Sequence, residues 1–411
     1  MSALLDSLLA GRDDPAAHAI ADAGLPGPRS EAWKYTSLRA LERRAFSPAR
    51  PVNAHAESIN DIPAPRIVYV NGHFDAALTD LDGLPEGVSI TTDARVRAEI
   101  VLPGDPDAWK PAGDEVFANL NALLAQAGVR IEVGTATETA LHLVNIQQAD
   151  EADRASQLHH SVRLAAGTSL LLVEHQIGAG AHANLDNTRL EAHVGEGATL
   201  RHLRMQDDAP GATRMQRTDA TLAAHARYRR LDLELGSAMS RHELNIRLAG
   251  ADASVHASGV LLADGRRHLD TRLGIVHAAA DTRSELPWRG LADGRARVVF
   301  HGGIRIEAGA DGSEANLQNR NLLLSDHAEI DTQPVLVIHA DEVQAAHGAT
   351  VGQLDATALF YLRSRGIPEA EARRILTVAF CHDVLTDIRD TGLRNIVVAR
   401  LDAALTRIQA A

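Results

Sequence analysis

Only one cysteine, Cys381, occurs in the 411 residues, and aromatic side chains make up just 3% of the chain. A lone thiol closes no intramolecular disulfide, a usage that reducing compartments favour. Nor can it build a Cys₄ metal site within one chain. So few rings leave the core to Leu, Val, Ile and Ala. Basic runs are missing as well: 41 Lys and Arg stand against 54 Asp and Glu, a formal charge of −13. An acidic surface without Lys/Arg blocks repels nucleic acid, so no nucleic-acid partner is expected. No stretch approaches the roughly 18 consecutive apolar residues of a membrane span. The first residues lack a basic start, an apolar run and a cleavage site, so no signal peptide and a cytoplasmic home are expected.

Enzyme signatures are scarce too. The sequence has no G-x-x-x-x-G-K-[ST] phosphate loop, no G-x-S-x-G elbow and no H-E-x-x-H pair. Gly302 and Gly303 lack the strand–helix setting of a dinucleotide site.

What is present falls into three stretches. Residues 1–128 read as a mixed, largely helical N-terminal domain. A short helix runs from Asp14 and Pro15 to Ala23. Ser30 caps a segment over 31–46, a strand covers 67–70 before the turn pair Asn71 and Gly72, and a helix covers 119–127. From 129 to 350 helical periodicity fades. Short runs with apolar residues at alternate positions are separated by Gly, Asp, Asn or Ala corners, and Gly167 and Gly197 lie 30 residues apart. This pattern describes rungs of a right-handed parallel β-helix, each burying its inner face only by stacking on its neighbours. A β-sandwich has similar strand spacing and stays open as the alternative. Residues 351–411 turn helical again. One helix covers 356–364 with Gly366 at its C′ position, a second starts at Pro368, and a third covers about 394–408.

Cys381 sits mid-helix beside Phe380 and reads as a buried structural thiol. The 20 histidines are a surplus. They suggest either a metal-binding ladder or polar, outward-facing strand residues. Only the adjacent pair His159 and His160 has tight spacing, and the second reading is favoured. Asn316, Asn319 and Asn321 suggest side-chain ladders at corners. His347 falls where the solenoid stops. A last rung leaves open strand edges that must be capped or paired, so an interface is expected there.

The runs Asn-Arg-Asn-Leu-Leu-Leu at 319–324, Ala-Glu-Ile-Asp-Thr-Gln-Pro at 328–334, Ala-Asp-Glu-Val at 340–343, His-Gly-Ala-Thr-Val-Gly at 347–352 and Phe-Tyr-Leu-Arg-Ser-Arg-Gly-Ile at 360–367 resemble the C-terminal signature of the SufB/SufD family of iron–sulfur cluster assembly proteins. Glu-Ala-Trp-Lys-Tyr-Thr at 31–36 and Val-Tyr-Val-Asn-Gly at 68–72 are similar to its SufD branch.

The resemblance implies a non-catalytic subunit of a SufBCD complex. Such a subunit pairs with a SufB-like chain through its β-helix and with a SufC-like ABC ATPase through its C-terminal helices. It implies no cofactor held by this chain alone, only a transient iron–sulfur cluster in the complex. For the ATPase contact the motif-matched residues are Leu359, Phe360, Tyr361, Leu362, Arg363, Arg365, Gly366 and Ile367. Family members of the SufD type commonly carry Cys-x-His before Gly-Ala-Thr. Here that stretch is Ala345, Ala346 and His347, so His347 is the candidate metal ligand and any cysteine must come from the partner. Two other readings stay open: a SufB-like primary scaffold, against which the single helical cysteine counts, and a polysaccharide-active β-helix enzyme, against which the missing signal peptide counts.

Overall fold

The protein is described by a computed structural model covering residues 2–27, 29–52, 59–92, 115–385 and 391–410. Its centre is a parallel β-helix. One sheet stacks the strands Val129–Val133, Arg154–Leu164, Leu185–Val194, Thr213–Leu222, Met239–Leu248, His268–His277, Arg297–Ile306 and Glu329–Ile338 in that order. The second stacks Ala140–Gln148, Ser169–Ala179, Thr199–Asp207, Arg227–Glu234, Ser254–Ala263, Arg283–Ala292, Glu314–Leu323 and Gln344–Gly352. Successive strands alternate between the sheets, and every ladder joining these strands is parallel. The parallel ladders rule out the sandwich. Two N-terminal strands extend the sheets: Arg66–Val70 pairs in parallel with Ala140–Gln148, and Val88–Thr92 antiparallel with Val129–Val133.

Alternation along each strand fills the tube. Leu190, Ala192 and Val194 face Leu170, Leu172 and Leu200 in one aliphatic core that continues to Phe300 and Leu317. One corner is built from left-handed residues. Gly167, Gly197, His225, Asp252, Asp281 and Gly312 all have positive φ. Each donates its N–H to a carbonyl one rung further on, Glu196, Ala224, Ala251, Ala280, Asp311 and Glu342 in turn. Glycine takes this conformation freely, and Asp and His tolerate it in the middle rungs.

Both outer faces carry helices. On the first sheet, Leu4, Leu5, Ile20, Trp33, Leu41 and Leu120 pack with Ala155, Leu185 and Met215. On the second, Cys381, Val384, Leu385, Val397, Leu401 and Leu405 pack with Val173, Leu203, Leu233, Val260 and Leu291. The helix Pro15–Ala23 starts as expected, with the Asp14 carboxylate accepting from the Ala17 N–H at 3.0 Å. Asn71 and Gly72, with φ of 46° and 80°, turn the chain into a short antiparallel return at His73–Phe74.

The expected capped segment over 31–46 is broken. A 3₁₀ turn, Glu31–Trp33, and a four-residue helix, Arg39–Glu42, replace it. The sheet takes its side chains instead: Thr36 Oγ1 donates to Asp270 Oδ2 at 2.6 Å, and Arg241 donates to the Ala32 carbonyl at 2.9 Å. The helix expected at 119–127 lies at Val116–Leu124. It is held there by Asn121 Nδ2, which donates to the carbonyls of Leu158 and Asn187. Among the described residues, no helix is long and apolar enough to cross a membrane.

Candidate functional site

The solenoid ends on an open rung. Glu329–Ile338 and Gln344–Gly352 are the last strands of their sheets, and each has a neighbour on one side only. Strands inside the stack are mostly buried, whereas these two are half-buried or exposed along their length. Ile338 is 43% exposed and Val351 44%. A row of unsatisfied backbone groups beside apolar side chains is a template for another chain.

His347 lies on this rung and is exposed. In register it stands against Leu317, between Ala345 against Ala315 and Ala349 against Asn319. Ala315, Leu317 and Asn319 are buried in the tube, so His347 continues an inward column at the point where the column opens. Ala345 has only a methyl group there. Among the described residues, no group of three or more His, Cys, Asp or Glu side chains is gathered to hold a metal ion. Asn319 and Asn321 occupy the same end, but inside a strand and not at a corner, which corrects the sequence reading. Asn321 Nδ2 donates to Asn319 Oδ1 at 2.6 Å and to the Thr350 carbonyl at 3.0 Å, and Thr332 Oγ1 donates to Asn319 Oδ1 at 2.7 Å. This bonding uses Asn319 Oδ1 and Asn321 Nδ2, while the buried Asn319 Nδ2 and Asn321 Oδ1 have no hydrogen-bond partner among the described residues. Only Asn316 faces outward, donating to Glu285.

Beyond the rung, helix Ala356–Ser364 has no buried residue. Phe360 is 73% exposed and Tyr361 56%, while Leu359, Leu362 and Ile367 are half-buried. Gly366 takes φ of 86° after the helix ends. Arg363 pairs with Glu369 at 3.2 Å, and Arg365 lies over the Tyr361 ring and donates to its hydroxyl. The next helix begins at Glu369, with Pro368 at its N-cap. The motif residues 359–367 thus share one helix and the turn that follows it.

Histidines are distributed otherwise than expected. His202, His242 and His277 are buried inside the tube and not displayed outward. His202 lies 2.7 Å from Glu174 and 2.9 Å from Tyr228 Oη. His277 meets Thr282 at 2.8 Å and Ser284 at 2.9 Å, and its burial pulls its pKa down to about 4. The adjacent pair His159 and His160 splits across the strand. His159 faces Glu191, whereas His160 points inward, where burial lowers its pKa to about 4. Adjacent strand residues face opposite sides, so this pair cannot share an ion.

Sequence reasoning missed an ionic half of the interior. Along Thr199–Asp207 the inward positions run Leu200, His202, Arg204, Gln206; along Arg227–Glu234 they run Tyr228, Arg230, Asp232, Glu234. Arg204 pairs with Glu234, and Arg230 grips Asp232 with two bonds of 2.8 Å. Arg214 bridges Asp186 and Asp208. All three arginines are fully buried, so each must be paired. Its one trace in the sequence is a switch from apolar to charged residues at alternate positions, a pattern that an outward strand face shares.

Cys381 is fully buried under the second sheet's helices, and burial pushes its thiol up to about 12. Such a thiol is neither nucleophile nor ligand at neutral pH.

A family profile described as "SUF system FeS cluster assembly, SufBD core domain" matches residues 145–380. The iron–sulfur cluster assembly protein SufD of Escherichia coli is 30% identical over 93% of this chain and 90% of its own length. An iron–sulfur cluster assembly SufBD family protein of Synechocystis is 28% identical over 95% of this chain and 90% of its own. SufD of Bacillus subtilis is 34% identical over a shorter stretch, 31% of this chain and 29% of its own. The profile spans more than half of a chain whose centre is a parallel β-helix, and this chain therefore belongs to the SufBD family of iron–sulfur cluster assembly proteins.

Proposed function

We propose that this chain is a non-catalytic subunit of a SUF-type assembly complex, in which it pairs with a SufB-like β-helix chain and a SufC-like ABC ATPase. The observation that carries the reading is the open terminal rung. Two parallel strand edges, with Ile338 and Val351 exposed beside them, offer a second solenoid a surface to continue. The exposed Phe360 and Tyr361 give the helix after it an aromatic anchor suited to the ATPase. The iron–sulfur cluster is cargo formed at the junction. His347 supplies an imidazole there, a group able to ligate iron, and the remaining ligands come from the partner.

A SufB-like primary scaffold is the weaker reading. It would need thiolates, and Cys381 is sealed in apolar packing. Co-expression with a SufB-like chain and a SufC-like ATPase tests the proposal. A three-component complex is expected on size exclusion. The pair Ile338→Asp and Val351→Asp should release the SufB-like chain, and Phe360→Asp the ATPase. Elution of the unaltered chain alone would overturn the reading.

A further inference from the structure

A pocket of about 360 Å³ lies on the outer face of the second sheet, beside the C-terminal helices and away from the open rung's His347. That volume falls in the range of small-molecule sites. Its rim is cationic in a chain of net charge −13. Arg227 and Arg229 sit two residues apart on one strand and so share its outer face. Arg201 stands in register with Arg229 on the neighbouring strand. Arg227 and Arg229 are both exposed, and neither has an ion-pair or side-chain hydrogen-bond partner among the described residues. Arg201 is engaged by Glu138, the one carboxylate among the described lining residues. Thr199 adds a hydroxyl between Arg201 and Arg227, whereas the Ser169 and Ser258 hydroxyls on the lining donate to the Thr137 and Arg230 carbonyls. The floor is apolar: Leu171, Leu203 and Leu231, backed by Val384.

Unpaired guanidinium groups cost nothing when solvated, so exposure alone would be unremarkable. Here they line a concavity with an aliphatic floor, together with Arg201 and Thr199. The ligand that answers this lining carries an acceptor-only, multiply charged head and an apolar body. Guanidinium forks match phosphate oxygens in two-bond geometry, and hydroxyls complete such a shell. We infer that this pocket binds a small organic phosphate, its phosphate held by Arg227, Arg229 and Thr199 and its apolar part lying on Leu203 and Leu231. An acidic polypeptide is less well matched, because the pocket is compact and its backbone N–H groups would meet few acceptors.

The test uses the full chain and 1-naphthyl phosphate as a fluorescent probe, with 1-naphthol, inorganic phosphate and an octaglutamate peptide as comparators. Naphthyl phosphate should bind at least ten-fold more tightly than naphthol or inorganic phosphate, and raised salt should weaken it. The pair Arg227→Ala and Arg229→Ala should lose at least ten-fold of that affinity, while Arg163→Ala, an exposed arginine on the other sheet, keeps it. Circular dichroism of each variant reports whether the fold is kept. Equal binding by the double variant, or saturable binding of octaglutamate without naphthyl phosphate, would overturn the assignment. The assay needs no partner chain, so its failure is distinguishable from failure of the assembly reading.

Discussion

The Arg241 guanidinium lies over the Trp33 ring, its carbon 3.7 Å from the ring centroid. Both residues are buried, and Arg241 also holds Glu243 and Asp270 through its nitrogens. The pair is the bolt between the N-terminal segment and the first sheet. A cation over a desolvated indole is worth roughly 2 kcal/mol, and truncating a buried tryptophan costs about 3–5 kcal/mol. Trp33→Ala should therefore speed hydrogen exchange over 31–46 and lower the unfolding midpoint, while Trp33→Phe recovers part of the loss. Unchanged exchange in that segment would show that the contact does not anchor it.

At the open rung, His347→Ala is expected to lower cluster yield in a reconstituted complex without dissolving it. The side chain is exposed and makes no hydrogen bond or ion pair among the described residues, so folding is spared. Ultraviolet–visible absorbance per complex measures the yield. Wild-type absorbance in the variant would remove His347 from the cluster site.

Cys381→Ser should leave cluster assembly intact. The native thiol, held at about 12 by burial, should react with a disulfide reagent only after denaturant opens the helices. Rapid modification of the folded chain would contradict the packing described around it.

Acid should destabilise the fold before the carboxylates titrate. His142, His160 and His277 are held by burial at about 4, against an ordinary value of 6.5. Between those values the unfolded chain binds more protons than the folded one, so stability falls as pH drops from 6.5 towards 4. Replacing His277 with Gln should flatten that dependence by one proton, about 1.4 kcal/mol per pH unit in the middle of the window. Denaturant midpoints at pH 7.5 and 5.0 measure it, and an unaltered slope would assign the proton elsewhere.

Inside the tube, Arg214→Met leaves Asp186 and Asp208 buried without their cation. Stranding a buried charge costs about 3–5 kcal/mol, enough to lower the melting temperature by several degrees. Adding Asp186→Asn and Asp208→Asn should recover part of it. A neutral single variant would mean that the charges are solvated.

Much of this was readable from the residues. Alternating Leu and Val between Gly corners specifies stacked rungs, because only a stacked strand buries that face. His347 and helix Ala356–Ser364 fell where the motifs put them. The ionic interior did not emerge, because Arg204 and Arg230 look like surface residues until the fold turns them inward, where Arg204 meets Glu234 on the next rung and Arg230 meets Asp232 two positions along its own strand. The 31–46 segment misled for a related reason. Its helical pattern is local, whereas Trp33 and Thr36 answer to Arg241 and Asp270, more than 200 positions away. Pairing at that range is invisible to any window of sequence.

The lengthwise division of the tube also works as a vernier for assembly. Leucines tolerate a slip of two positions, since the same face stays inward. The charged half does not. Sliding Arg227–Glu234 one way along Thr199–Asp207 sets Arg230 against Arg204, and the other way drives it against Leu200. Either error leaves a dry, unanswered charge, so misaligned coils are expelled while the chain is still winding up.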